Sequence, residues 1–331
     1  MHTYFPPFIY TFFLAFGTFI TISSSSLFGM WMGLEINLMS MIPLIINLES
    51  NKKSSESAIK YFLIQAIASS LVILSAMIFF LYSSSISSSS PSLLITAALC
   101  TKLGMAPFHF WFPEVLEGLN WLNTMILLTW QKIAPLTILS LFLHPKILII
   151  FALTSAFVGA ISGINQTSLR KILAFSSISH LGWISNLMIV SNLWTNYFIT
   201  YCVTSYILCL SFWLFNINYF SQLTLIQDLK KKIIIFINML SLGGLPPLLG
   251  FFPKWMAMMA LSKNFPVLMI LILSSLITLL FYTRICVSTF TLFFQNNLWI
   301  LKMKAQKNFF FLSLLTFISF TGLIPMTIIA F

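Results

Sequence analysis

Four ionisable residues, Glu35, Lys102, Lys132 and Lys254, stand inside long apolar stretches of the sequence. A charged side chain at the centre of a hydrocarbon-embedded helix costs roughly 2.5–3.5 kcal/mol on insertion scales, so each needs a reason to be there. A proton path is one such reason, because it needs groups that gain and lose protons between two aqueous sides. Burial disfavours the charged form of lysine and of carboxylate, and an opposite charge nearby restores it. A Glu–Lys pair that forms and parts can therefore switch a lysine between holding and releasing a proton. Water chains can join sites too far apart for direct transfer. The plainer alternative is a set of structural ion pairs. One glutamate cannot neutralise three lysines, however, so some of them are neutral, hydrated or transiently charged. His180 is a fifth candidate, in the run Ser176-Ser177-Ile178-Ser179-His180, where a polar cluster could line water. The plainer reading of His180 is a buried histidine that is simply hydrogen-bonded. His109 lies in a segment that breaks its helix, while His2 and His144 are terminal and loop residues with no evident role.

The elements that must position these groups follow from composition. Of 331 residues, 59% are hydrophobic and 7% charged, against roughly 25% charged in a soluble domain. There is too little polar surface to cover a water-soluble globule. A span needs about 20 apolar residues. About eleven can be read, over 4–22, 27–48, 58–82, 93–111, 121–143, 146–165, 171–191, 194–216, 233–261, 266–291 and 307–329. The expected fold is an all-α integral membrane protein, 1–331, with no soluble domain. At about 1.5 Å per residue, Glu35, Lys102, Lys132 and His180 fall roughly 12–17 Å from a span end, near the midplane. Lys254 would lie roughly 32 Å along a straight helix, which is too far. Lys60 and Arg284 lie nearer span ends and can snorkel.

Residues 103–114, LGMAPFHFWFPE, resemble residues 242–254, LGGLPPLLGFFPK. Both begin Leu-Gly, reach Pro four residues after the Leu, and end Phe-Pro before a charge; the match needs one extra residue in the second copy. Pro107, Pro246 and Pro247 lack an N–H, and Gly104, Gly243, Gly244 and Gly250 ease unwinding, so both helices should break and bring Lys254 back toward the middle. The copies lie five spans apart, so they should cross in opposite directions. The expected organisation is a five-helix repeat over 1–143, an inverted copy over 146–291 and a C-terminal helix over 307–331, an arrangement used by transporters. Alternate loops carry unequal charge. The N-terminal side holds Lys52, Lys53, Lys60, Arg170, Lys171, Lys230, Lys231, Lys232, Lys302, Lys304 and Lys307, the other side Lys146 and Lys263. The positive-inside rule puts the N-terminus in the inner compartment and the C-terminus outside. The net charge of +11 thus reflects topology and lipid head groups rather than nucleic-acid binding. Cys100, Cys202, Cys209 and Cys286 have no metal-ligand spacing and read as small core residues.

The motifs around the buried charges carry a resemblance. The stretches 31–45 WMGLEINLMSMIPLI, 58–69 AIKYFLIQAIAS, 102–114 KLGMAPFHFWFPE, 129–136 TWQKIAPL, 165–183 NQTSLRKILAFSSISHLGW and 241–255 SLGGLPPLLGFFPKW resemble, in order, the subunit 2 family of mitochondrial NADH:ubiquinone oxidoreductase, respiratory complex I. The likeness covers essentially the whole chain. It implies an antiporter-like, proton-translocating subunit of the membrane arm, of the animal type shortened by three N-terminal helices. By that resemblance Glu35 matches the glutamate of the GLE motif, Lys102 the lysine before LGMAPFH, Lys132 the lysine of WQK and Lys254 the lysine of PKW. The resemblance also implies that NADH, FMN, the iron–sulfur clusters and ubiquinone are bound by other subunits, so this chain should hold no cofactor and no metal. Its partners would be other membrane-arm subunits, including neighbouring antiporter-like ones, and lipids. The first apolar stretch replaces any secretory or Arg-rich transit start, which fits a multi-pass protein of the mitochondrial inner membrane made inside the organelle.

Two other functions fit part of the sequence. An independent cation/proton antiporter would use the same buried lysines and inverted repeat. A purely structural or assembly subunit would keep the charges as scaffold pairs. A haem-bearing membrane enzyme fits poorly, because no axial-ligand pair is apparent.

Overall fold

The structure is a computed structural model. It describes residues 7–46, 52–81, 89–224, 226 and 228–291, with residues 313, 316, 317, 319 and 320 beyond them. Among these residues the named elements are all helices: α1 Pro7–Ser23, α2 Leu27–Ile46, α3 Lys52–Leu81, α4 Ser89–Leu103, α5 Trp111–Gly118, α6 Trp121–Leu128, α7 Trp130–Leu141, α8 Pro145–Gly163, α9 Leu169–Val190, α10 Trp194–Phe215, α11 Phe220–Thr224, α12 Leu229–Gly243, α13 Phe251–Ala260 and α14 Phe265–Thr291. Seven helical runs are long and apolar enough to cross a membrane: α2, α3, α6 with α7, α8, α9, α10 and α14. α1 and the apolar part of α4 are shorter. The expected C-terminal helix over 307–331 falls almost wholly outside the described residues, as do Lys302, Lys304 and Lys307.

The chain divides into two compact units, Met1–Phe151 and Ala152–Phe331. In the first, α1 lies along α2, α3 packs on α2, α4 and α5, and α7 packs on α4, α1 and α2. Small residues allow the closest approach: a Cβ on Gly33 of α2 would sit 2.7 Å from the Gly17 carbonyl of α1. Dispersion across such close backbones drives association where lipid removes the hydrophobic incentive. In the second unit α9 is the centre, with Ile172 to Met188 buried without interruption and α10, α13 and α14 packed on it. Serine and threonine hydroxyls inside the spans mostly donate to the carbonyl three or four residues earlier, as Thr18 does to Ala15 and Ser75 to Val72. That satisfies the hydroxyl in a medium without water.

Both helix breaks are present, and they are built alike. α4 ends at Leu103, and Gly104 takes φ +73°. The Gly104 N–H donates to Thr101 O and the Met105 N–H to Cys100 O. α12 ends at Gly243, and Gly244 takes φ +78°. The Gly244 N–H donates to Ser241 O and the Leu245 N–H to Leu240 O. This paired closure with a left-handed glycine is the Schellman ending, and glycine adopts it without a Cβ penalty. A cis X–Pro peptide follows in each, at Ala106–Pro107 and Pro246–Pro247. The next half-helices begin at Trp111 and Phe251. Gly104 and Gly244, and likewise Trp111 and Phe251, are 140 residues apart. The two segments therefore superpose in sequence without a gap, and the extra residue expected in the second copy is not needed. The sequence pattern aligns the two Leu-Gly pairs, whereas the backbone aligns Leu103-Gly104 with Gly243-Gly244.

Candidate functional site

In the first unit the site is built where helices are interrupted. Lys102 is the next-to-last residue of α4, close to the carbonyls that a helix end leaves without intrahelical partners. A cation there also complements the negative end of the helix dipole. The neighbouring carbonyls are accounted for: Gln65 Nε2 of α3 donates to Lys102 O at 3.1 Å, and Trp111 Nε1 donates to Thr101 O at 3.2 Å. Lys132 lies in the first turn of α7, just past a discontinuity at Thr129 that the sequence did not announce. Pro135 removes the hydrogen bond that the Gln131 carbonyl would accept and crowds that turn.

These interruptions place both lysines on one cavity. Lys102 and Lys132 are 6% and 3% exposed. They line a space of about 30 Å³ together with Tyr61, Gln65, Phe112 and Gln131. Each water needs roughly 10–15 Å³ of such space, so it has room for about two. Lys132 Nζ lies 5.4 Å from the centre of the Phe112 ring, within cation–π range. Gln131 Nε2 is buried without a hydrogen-bond partner. Glu35 is half-buried on α2 and is not part of the cavity wall. Among the described residues no ion pair joins it directly to Lys102.

Two other ionisable residues of this unit stand apart from the cavity. Lys60 is ion-paired to Glu56 at 2.7 Å and to Glu114 at 2.8 Å, tying α3 to the half-helix that follows the break. His109 is buried, with Nδ1 3.2 Å from Pro107 O and its ring against Phe110, and it does not line the cavity.

In the second unit the break lets Lys254 reach back to the end of α12. A continuous helix would separate residues 243 and 254 by about 16 Å, yet Lys254 Nζ donates to Gly243 O at 2.7 Å. The side chain is folded back onto the end of α12 and is 6% exposed. Gly244 makes the space: a Cβ there would be 2.9 Å from Lys254 Cδ. His180, in the buried run of α9, has Nδ1 2.9 Å from Tyr197 Oη. The serines beside it do not depend on water, because Ser176, Ser177 and Ser179 donate to the carbonyls of Leu173, Ala174 and Ser176. Lys231 and Lys232, expected in a polar loop, are instead buried in the first turn of α12. Lys231 pairs with Asp228, and Lys232 Nζ reaches Thr224 O and Thr289 O. The first turn of a helix is an unfavourable place for cations, and these neighbours compensate. Among the described residues no cluster of three His, Cys, Asp or Glu side chains could hold a metal ion.

Residues 24–280 match the transmembrane family model described as NADH:quinone oxidoreductase/Mrp antiporter. The chain is 45% identical over 330 residues to NADH-ubiquinone oxidoreductase chain 2 of Anopheles gambiae, covering 97% of each chain. It is 46% identical to the chain of that name from Aedes aegypti, covering 95% of this chain and 94% of the other. The chain belongs to the NADH-ubiquinone oxidoreductase chain 2 family. Its fold is that of a chain in respiratory complex I from Thermus thermophilus, at a TM-score of 0.84 and 22% identity, over 96% of this chain and 78% of that one. A chain of the membrane-bound sulfane sulfur reductase, an archaeal respiratory membrane complex, is similar at a TM-score of 0.81 and 16% identity, over 97% of this chain and 73% of the other. Glu35, Lys102, Lys132, His180 and Lys254 all lie within the stretch that matches the family model.

Proposed function

We propose that this chain translocates protons as a membrane-arm subunit of NADH:ubiquinone oxidoreductase, with Lys102, Lys132 and Lys254 as the groups that carry protons. Family membership makes it a multi-pass membrane subunit of that oxidoreductase. The finer reading is that Glu35 sets the charge state of Lys102, that Lys102 and Lys132 exchange a proton through water, and that His180 and Lys254 continue the path. Electron transfer from NADH to ubiquinone belongs to other subunits, which also bind the cofactors. Neighbouring membrane-arm subunits and lipids are the partners. The location is the mitochondrial inner membrane, crossed about eleven times by two inverted five-helix repeats and a final helix, with the N-terminus on the matrix side.

One observation carries this reading: two buried lysines share one small cavity lined by Gln65, Gln131 and Tyr61 among others. Two ammonium groups on one buried wall repel each other, so a single proton shared between them is the stable arrangement. The test is the assembled complex in sealed vesicles, with NADH oxidation and proton uptake measured together. Lys132→Met is expected to abolish most pumping while the complex still assembles. Unchanged pumping by that variant would show that Lys132 is structural and would end this reading.

A further inference from the structure

Tyr282 of α14 is completely buried, and its hydroxyl has no hydrogen-bond partner among the described residues. Burying an unpaired hydroxyl costs about 1–3 kcal/mol, and replacing it with hydrogen would avoid that cost. Its surroundings suggest what it does. One edge of the ring packs against the end of α12, where a Cβ on Gly243 would be 3.6 Å from Tyr282 Cδ2. Gly243 is the residue whose carbonyl holds the Lys254 ammonium. The hydroxyl faces Ser176 of α9 without forming a hydrogen bond, and Tyr201 of α10 is its neighbour.

From Tyr201 the polar groups continue. Its hydroxyl reaches Ser177, and its ring centre is 5.2 Å from that of His180. His180 in turn meets the Tyr197 hydroxyl. Ser176 and His180 are four residues apart on α9 and so share a face, with Ser177 beside them. Tyr197, Tyr201 and Tyr282 thus lie along the polar side of α9, and an edge of the Tyr282 ring also touches the broken end of α12.

We propose that Tyr282 is a relay residue that joins the His180–Tyr201 group to Lys254. This rests on the proton-translocating reading given above. In a relay step, with water bridging the gaps that no direct hydrogen bond closes, the hydroxyl oxygen takes a proton on a lone pair as its own O–H proton leaves on the other side. Tyr282 begins and ends neutral, the donor loses one proton and the acceptor gains one, and no co-reactant is needed. The end members are His180 and Lys254, an imidazole and an amine, the side-chain types that can hold or release a proton.

The test is Tyr282→Phe in the assembled complex in proteoliposomes, beside Lys254→Met, with pumping, NADH oxidation and thermal stability measured. Tyr282→Phe keeps the ring and removes one oxygen, so the fold is retained. The expected result is a fall in pumping of about 10-fold or more, with thermal stability unchanged or slightly raised. Normal pumping by Tyr282→Phe while Lys254→Met fails to pump would overturn the relay and leave the wider reading intact. Normal pumping by Lys254→Met would overturn both. A parallel loss of pumping and thermal stability in Tyr282→Phe would make the hydroxyl structural and would also overturn the relay.

Discussion

Lys102 and Lys132 come from different helices and meet because both helices are interrupted beside them. The carboxamides on the same wall have separate tasks, and substitution should separate them. Gln65 donates to the Lys102 carbonyl, so Gln65→Leu leaves a buried acceptor unpaired at a cost of about 1–3 kcal/mol. The expected outcome is a lower unfolding temperature for the membrane arm, read by differential scanning. Gln131 Nε2 holds no protein partner, so Gln131→Leu should cost little stability. It faces the cavity, however, and removing its amide takes away a group that can orient water. Gln131→Leu should therefore slow pumping severalfold at normal thermal stability, measured by dye quenching in vesicles. The four charged residues were legible in the sequence because a charge in an apolar span is conspicuous. Gln65, Gln131, Tyr197 and Tyr282 were not singled out. A carboxamide or phenol is cheaper to bury than a charge, and only its three-dimensional neighbours reveal its task. Lys231 and Lys232 misled in the opposite sense, since a lysine run reads as a solvated loop until Asp228 and the two threonine carbonyls are seen around it.

The decisive elements are the two broken helices, and adjacent glycines in the second allow a controlled test. Gly244 has φ +78°, and a Cβ there would lie 3.1 Å from Lys254 Nζ. Alanine in the left-handed region costs about 1–2 kcal/mol, and in this place it also pushes the lysine off the Gly243 carbonyl. Gly243 is the last residue of α12, and a Cβ on it would meet nothing closer than 3.6 Å. Gly244→Ala is expected to reduce pumping severalfold and Gly243→Ala to leave it near normal, in the same vesicle assay. Equal effects would show that Lys254 does not depend on the space at Gly244. The existence of both breaks was legible, because Gly and Pro act on their own turn of backbone. Their register was not, because Leu-Gly occurs in both copies while the left-handed glycine follows it by one residue in the second. The discontinuity at Thr129 was invisible because no glycine or proline stands at the junction itself, and Pro135, inside α7, is compatible with a smooth kink.

At the scale of the whole molecule, the proposed topology turns on how the broken helices are counted. Among the described residues, length and apolarity identify seven helices outright, and α4 with α5, or α12 with α13, crosses only if its two halves together make one passage. The charge asymmetry supports that count, because eleven crossings separate eleven basic residues from two. Ser55 and Lys263, both exposed, provide a direct test. With each broken pair counted as one crossing, seven passages separate them, an odd number, so they lie on opposite sides. If one broken pair returned to its own side, the number would be even and both would lie together. Ser55→Cys and Lys263→Cys, labelled with a membrane-impermeant maleimide in oriented vesicles, distinguish these cases. Ser55→Cys is expected to react from the matrix side and Lys263→Cys from the opposite side. Reaction of both from one side would remove the inverted repeat along with the eleven-span count, because a broken helix that fails to cross cannot carry Lys254 past the midplane in the opposite sense to Lys102.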